Sequence, residues 1–317
     1  MKNAFILLIF LSPLIAELFS GSTPFFTFFS PFVFLVFLGF YGGGCLLIRE
    51  VTAHRNLGYA SVLLLGAAFG ILEEGIILKS WFDPTWMGGE ITSKVLRVYG
   101  ISVLQPFANI AYHAVVSIAA PILLMNSVAS TKPWLRKREL IPFFGIFAIS
   151  AAIMFFTFNY DYKVRAGHYL MGIVLFGLFL RWGLKGTKII SDTEKEPELK
   201  PKIKSKDYSP VKIWVLGFFF TMVLFIIFYT FSNVGAPWFL ILGLALLVYY
   251  DYGRIFSGVQ WTSPRSFAAG AGITTGLLPV VAVMARTDPA KIGNFTAAAL
   301  FVFFLVVLYK GILRSNQ

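Results

Sequence analysis

Apolar residues fall in ten blocks along the chain, at 4–20, 25–47, 59–79, 102–126, 140–158, 168–183, 211–231, 237–250, 266–285 and 293–312, with polar residues between them. Most blocks approach the roughly 20 residues that an α-helix needs to cross bilayer hydrocarbon. Those at 168–183 and 237–250 are short, which suggests re-entrant or tilted elements. The pattern predicts an all-α integral membrane protein, a polytopic bundle of about ten transmembrane helices.

Charge fixes the expected orientation. With Lys2 placed in the cytoplasm, inner segments carry 20 of the 27 Lys and Arg residues and outer segments carry 7. That bias follows the positive-inside rule and puts both termini in the cytoplasm of a prokaryotic-like cell membrane. The net charge of +12 therefore reflects topology, with the lipid bilayer as partner and no nucleic acid. Composition agrees: 57% of residues are apolar and mean hydropathy is +0.77. All seven Trp (Trp81, Trp86, Trp134, Trp182, Trp214, Trp238 and Trp261) fall in loops or near span ends, as an interfacial belt requires.

The stretch 184–210 mixes Lys with Asp and Glu and holds few apolar residues, so it reads as a mobile charged cytoplasmic linker. It divides residues 1–183, a six-span bundle, from residues 211–317, a four-span bundle. The first block superficially resembles a signal peptide, but Pro13 and Glu17 interrupt it and no small-x-small site precedes a soluble domain; it is expected to stay as a span. The segment from Lys79 to Gly100 mixes Trp and Phe with turn residues, which suits either a lid or a surface loop. Small residues in Gly42-Gly43-Gly44 and in Ala268–Gly276 suit close helix packing.

Against this background a few ionisable groups stand out. Glu73 and Glu74 are adjacent inside the apolar run from Tyr59 to Leu78, where a buried charge costs at least a few kcal/mol. On an ideal helix Gly66, Gly70 and Glu74 share one face, with Glu73 about 100° away, so Glu74 should press toward a neighbouring helix. In the next span Asn109, His113 and Ser117 form a polar stripe between Pro106 and Pro121, at a depth matching the glutamates. A carboxylate pair with a histidine nearby can serve as a general base or as a proton or cation relay. Glu17 reads as an interfacial carboxylate in water, or else as part of an outward-opening site. Arg49 should pair with Glu50 at the inner interface and is a candidate substrate or ion contact, with Asn109, Ser117 and Glu17. His168 sits at an outer edge, where a histidine is usually solvated. Cys45 is the single cysteine, which excludes an internal disulfide and a cysteine-built metal site. No cofactor and no metal are expected.

Adjacent glutamates in one span, His113 in the next and His168 two spans later resemble the CPBP family of glutamic intramembrane proteases (CaaX proteases and bacteriocin-processing enzymes). That family's pattern runs Glu-Glu-x-x-x-Arg, Phe-x-x-x-His, His-x-x-x-Asn/Asp. The resemblance implies Glu73 or Glu74 as base, with His113 and His168 holding water and oxyanion. Leu78, Asn109 and Gly172 depart from the pattern at its arginine, phenylalanine and final positions. The stretches Ala16–Pro24, Leu47–Val51, Gly70–Gly75 and Tyr112–Ser117 are also similar to uncharacterised prokaryotic multi-pass membrane proteins, a likeness that implies no activity. Three readings stay open: a CPBP-like peptidase acting on a membrane-embedded peptide, a transporter of a proton, cation or small solute, and a scaffold whose carboxylates only hydrogen-bond between helices.

Overall fold

The computed structural model describes residues 3–86, 97–186, 208–227, 237–257 and 259–315. Eight helices among them are long and apolar enough to cross a membrane, and two shorter apolar helices accompany them. In chain order they are α1 (Ala4–Leu18, short), α2 (Pro31–His54), α3 (Tyr59–Ile77), α4 (Gln105–Val128) and α5 (Lys137–Thr157), then α6 (Ala166–Lys185), α7 (Pro210–Phe225, short), α8 (Trp238–Phe256), α9 (Ser263–Thr287) and α10 (Pro289–Lys310). The protein is an all-α polytopic membrane protein. The two blocks that look too short in the sequence are full-length helices of 20 and 19 residues, because Arg181, Trp182, Asp251 and Arg254 continue their helices past the apolar stretch. The expected linker falls almost entirely at residues 187–207, outside the described residues.

The helices sort into an inner and an outer set. In α3, α4 and α9, 67% of the apolar window is buried inside the protein, against 11–22% in α5, α6, α8 and α10. With α1 and α2, this inner set holds most of the buried polar side chains away from lipid. Small residues bring it together: a Cβ on Gly66 would lie 2.8 Å from Ala114 Cα, and one on Gly70 would lie 2.9 Å from His113 Cβ, which locks α3 against α4. Gly270 of α9 does the same against Leu124 and the Ala120 carbonyl of α4, and Gly272 against the Trp214 carbonyl of α7. The small-residue face of α9 thus packs helices on two sides, as expected.

Two prolines explain further contacts. Pro13 has no N–H to give the Ile9 carbonyl, four residues back; Gly42 of α2 packs directly on that oxygen, where a side chain would collide. Pro121 likewise cannot donate to the Ser117 carbonyl, and the Ser12 hydroxyl does so from α1 at 2.9 Å. The glycine run in α2 is therefore a packing surface within a continuous helix, Gly42 against α1, Gly43 against Phe147 of α5 and Gly44 against Phe69 of α3.

The α3–α4 connection is packed into the bundle. Trp81 and Phe82 are fully buried, and the Trp81 ring fills the space over Gly75. Trp81 consequently lies in the protein core, not in an interfacial belt; Trp182, Trp214 and Trp238 are the exposed ones. A two-residue antiparallel pair, β1 (Arg97–Val98) and β2 (Ile101–Ser102), follows. Its turn places both Tyr99 and Gly100 at positive φ, the geometry of a tight hairpin. The Arg97 guanidinium ties the pair down by donating to the carbonyls of Trp81 and Phe82; burial pushes its pKa down. Gly88, Gly89 and Lys94 lie outside the described residues.

Candidate functional site

Four inner helices meet where α1 and α3 end and α2 and α4 begin, and there they bring Glu17, Tyr41, Glu73, Glu74 and His113 together. Each of these residues lies in a π-helical segment: Leu14–Leu18, Leu38–Gly42, Ile71–Ile77 or His113–Ala119. A π turn carries an extra residue relative to an α turn, so it re-aims the side chains around it, and such turns occur often at functional sites. This overturns the expected faces of α3. Glu73 is the deeper carboxylate, 1% exposed, while Glu74 is 14% exposed, and both reach His113.

The imidazole of His113 is the hub. Its Nε2 lies 3.3 Å from Glu74 Oε1, and its Nδ1 lies 3.1 Å from Ser117 Oγ. Glu73 Oε2 is 3.2 Å from the same Nδ1. It lies off that nitrogen's hydrogen-bonding direction, which Ser117 fills, so this fully buried oxygen has no hydrogen-bond partner. The other oxygen of Glu73 accepts from the Tyr41 hydroxyl, which also lies 2.5 Å from Glu17 Oε1. Glu17 Oε2 takes the Thr23 hydroxyl at 2.5 Å. At the other end Ser80 donates to Glu74 Oε2, and Asn109 Nδ2 reaches Ser80 Oγ at 3.5 Å.

The protons in this chain can be counted. A phenol carries one hydrogen, yet the Tyr41 oxygen touches both Glu17 and Glu73, so one of these two carboxyls must itself be protonated. Between His113 Nε2 and Glu74 Oε1, two groups that both accept when deprotonated, a proton or another cation must also sit. Three carboxyl groups and one imidazole with such sharing can chemically hold a positive charge and pass a proton. Burial in an inner, apolar shell strengthens every one of these interactions.

The sequence-predicted residues divide clearly. Glu73, Glu74, His113, Ser117 and Asn109 converge, and Glu17 joins them; it is buried, not an interfacial carboxylate in water. His168 does not join. It is half-buried, its Nε2 pairs with the Tyr99 carbonyl at 3.1 Å, and its ring stacks on Phe82 at 4.8 Å. Arg49 lies elsewhere too: it pairs with Glu50 as expected, and its remaining nitrogens go to Asn126 and the carbonyls of Ser130 and Lys132, so it has a structural partner for each nitrogen. Tyr41 is the residue that the sequence reading passes over. Its signal is a phenol deep in an apolar span, away from the interfaces where aromatic belts sit.

Fold and site together define a polytopic helical membrane protein with a carboxylate–imidazole centre shared by four inner helices. The chain belongs to an uncharacterised membrane protein family, whose model matches residues 6–314. No curated protein and no solved structure matches it.

Proposed function

We propose that this protein is an intramembrane hydrolase that activates water at Glu73, His113 and Glu74 to cleave an amide bond of a membrane-embedded peptide. One observation carries the reading: an imidazole is held between two carboxylates, of which Glu74 is partly accessible and Glu73 is buried behind it. Glu74 is the group that water can reach, so it takes the water's proton, and His113 fixes its position and shares that proton. Such positioned acid–base transfer contributes about 10²–10⁴ in rate. Ser117 orients the ring through Nδ1, and Glu73, anchored by Tyr41, sets a negative charge 3.2 Å from it. The oxyanion role that the CPBP resemblance gives His168 passes here to Asn109, which sits beside Ser80 and Glu74.

A second reading has its own observation. Hydrogen bonds link Thr23, Glu17, Tyr41 and Glu73, and a 3.2 Å contact from Glu73 to His113 brings them to the His113–Glu74 pair, an arrangement suited to proton movement in a transporter. The test uses purified protein with a library of transmembrane peptides, cleavage being read by mass spectrometry, beside proteoliposomes containing a pH-sensitive dye. Hydrolysis predicts cleaved products from wild type and none from Glu74→Gln. Wild-type proton flux without cleaved products sinks the hydrolase in favour of transport.

A further inference from the structure

We infer that Glu73, Glu74 and His113 form a binding site for one divalent transition-metal ion, with zinc as the ion that the donor set fits best. One ligand atom from each residue lies within 4.8 Å of the other two. His113 Nε2 and Glu74 Oε1 are 3.3 Å apart, and two tetrahedral ligands each about 2.0–2.1 Å from one zinc ion are separated by about 3.3 Å. Glu73 Oε2, buried and without a hydrogen-bond donor, is an acceptor waiting for a cation. An orphaned buried carboxylate oxygen is costly unless something positive meets it.

The surroundings match what metal-ligating histidines require. The nitrogen that does not face Glu74 has a hydroxyl partner, Ser117 at 3.1 Å, which holds the ring with Nε2 turned toward Glu74. Both carboxylates are held on their far oxygens, Glu73 by Tyr41 and Glu74 by Ser80. Charge gives an independent argument. When Glu17 is the carboxyl of the Tyr41 contact that carries the proton, ionised Glu73 and Glu74 leave a charge of −2 beside a neutral imidazole. A divalent ion brings the buried centre to zero, whereas a single proton on His113 leaves it at −1. One nitrogen and two carboxylate oxygens suit zinc, iron or manganese better than calcium, which takes six to eight oxygens.

The inference deepens the proposed hydrolysis, because an open fourth position on such an ion lowers the pKa of water to about 7. Glu74 Oε2, held by Ser80, would be the acceptor on this chain for that proton. On attack the water oxygen bonds to the carbonyl carbon, the C–N bond breaks, and the proton leaves on the amine.

Metal binding is measured on its own, with full-length detergent-purified protein, its affinity tag removed, dialysed against zinc and then against buffer. Elemental analysis should find about one zinc per chain in wild type and in His168→Ala. It should find at least tenfold less in Glu73→Gln and His113→Ala, with thermal unfolding confirming that each variant is folded. Glu73→Gln keeps the side-chain shape, so it decides the matter if His113→Ala unfolds. Titration with Co²⁺ should give visible d–d bands in wild type that both variants lack. Wild type without zinc after dialysis, or equal zinc in wild type and folded Glu73→Gln, overturns the site. Peptide cleavage without metal would leave the hydrolase standing and this site refuted, and bound metal without cleavage would do the reverse.

Discussion

Arg49 and Glu50 lie on the same helix as Tyr41, about 12 Å further along at 1.5 Å per residue, and they too are buried ions within a span. The two regions are built differently. Around Arg49 the charges balance one to one. The guanidinium meets Glu50, Asn126 and two loop carbonyls, and the Trp134 ring covers it at 3.5 Å. Glu50 in turn receives the backbone N–H groups of Trp134 and Leu135, both at 3.0 Å. Every charge there has partners, and together they pin the α4–α5 loop. Around His113 three carboxyl groups crowd one imidazole and a phenol, and one buried oxygen, beside the imidazole, accepts no hydrogen bond. The first arrangement closes a structure, and the second leaves a position for something to bind or move. Burial alone would not have told them apart; partner accounting does.

That contrast can be broken experimentally, beginning where the effect should be greatest. Glu74→Gln should lower peptide cleavage by about 10²–10⁴ with little change in melting temperature; unchanged turnover would remove Glu74 from the chemistry. Arg49→Ala should cost about 3–5 kcal/mol, because it strands buried Glu50, and this is read as a large drop in thermal midpoint in detergent. Gly70→Ala forces a methyl against His113 and should cost about 1–3 kcal/mol while widening the gap between α3 and α4, seen as weaker zinc retention. Tyr41→Phe removes the single hydroxyl shared by Glu17 and Glu73, about 1–3 kcal/mol; a melting curve equal to wild type would show that the phenol is not the bridge. His168→Ala should change neither cleavage nor zinc content, and a lost activity there would restore the role the family resemblance gave it.

Much of this was legible before the fold was known. Two glutamates and a histidine in apolar runs are costly enough to imply partners, and the Asn109–His113–Ser117 spacing gives one helical face. The ten apolar blocks locate the helices because lipid admits few alternatives. What stayed hidden has physical reasons. A face drawn at 100° per residue assumes unbroken α geometry, and the π segment from Ile71 to Ile77 breaks it, so the ranking of Glu73 and Glu74 came out reversed. Glu17 and Tyr41 are joined to Glu73 by contacts distant in sequence, which no local pattern encodes. Trp81 looked interfacial because loop tryptophans usually are, whereas here the loop folds back over Gly75. His168 entered only through resemblance, and its neighbours Tyr99 and Phe82 show a half-buried, structural setting apart from the carboxylates.

The four π segments also say how these helices would tolerate a change in chain length. Each stores one residue more than an α-helix of equal span. Deleting a single residue within Leu38–Gly42 should therefore let α2 relax to ordinary winding with its ends still in place, keeping the span's reach across the bilayer while withdrawing Tyr41 from its two carboxylates. Length and chemistry are thus separable here: one residue can be subtracted from the middle of a membrane span, and what disappears is the site.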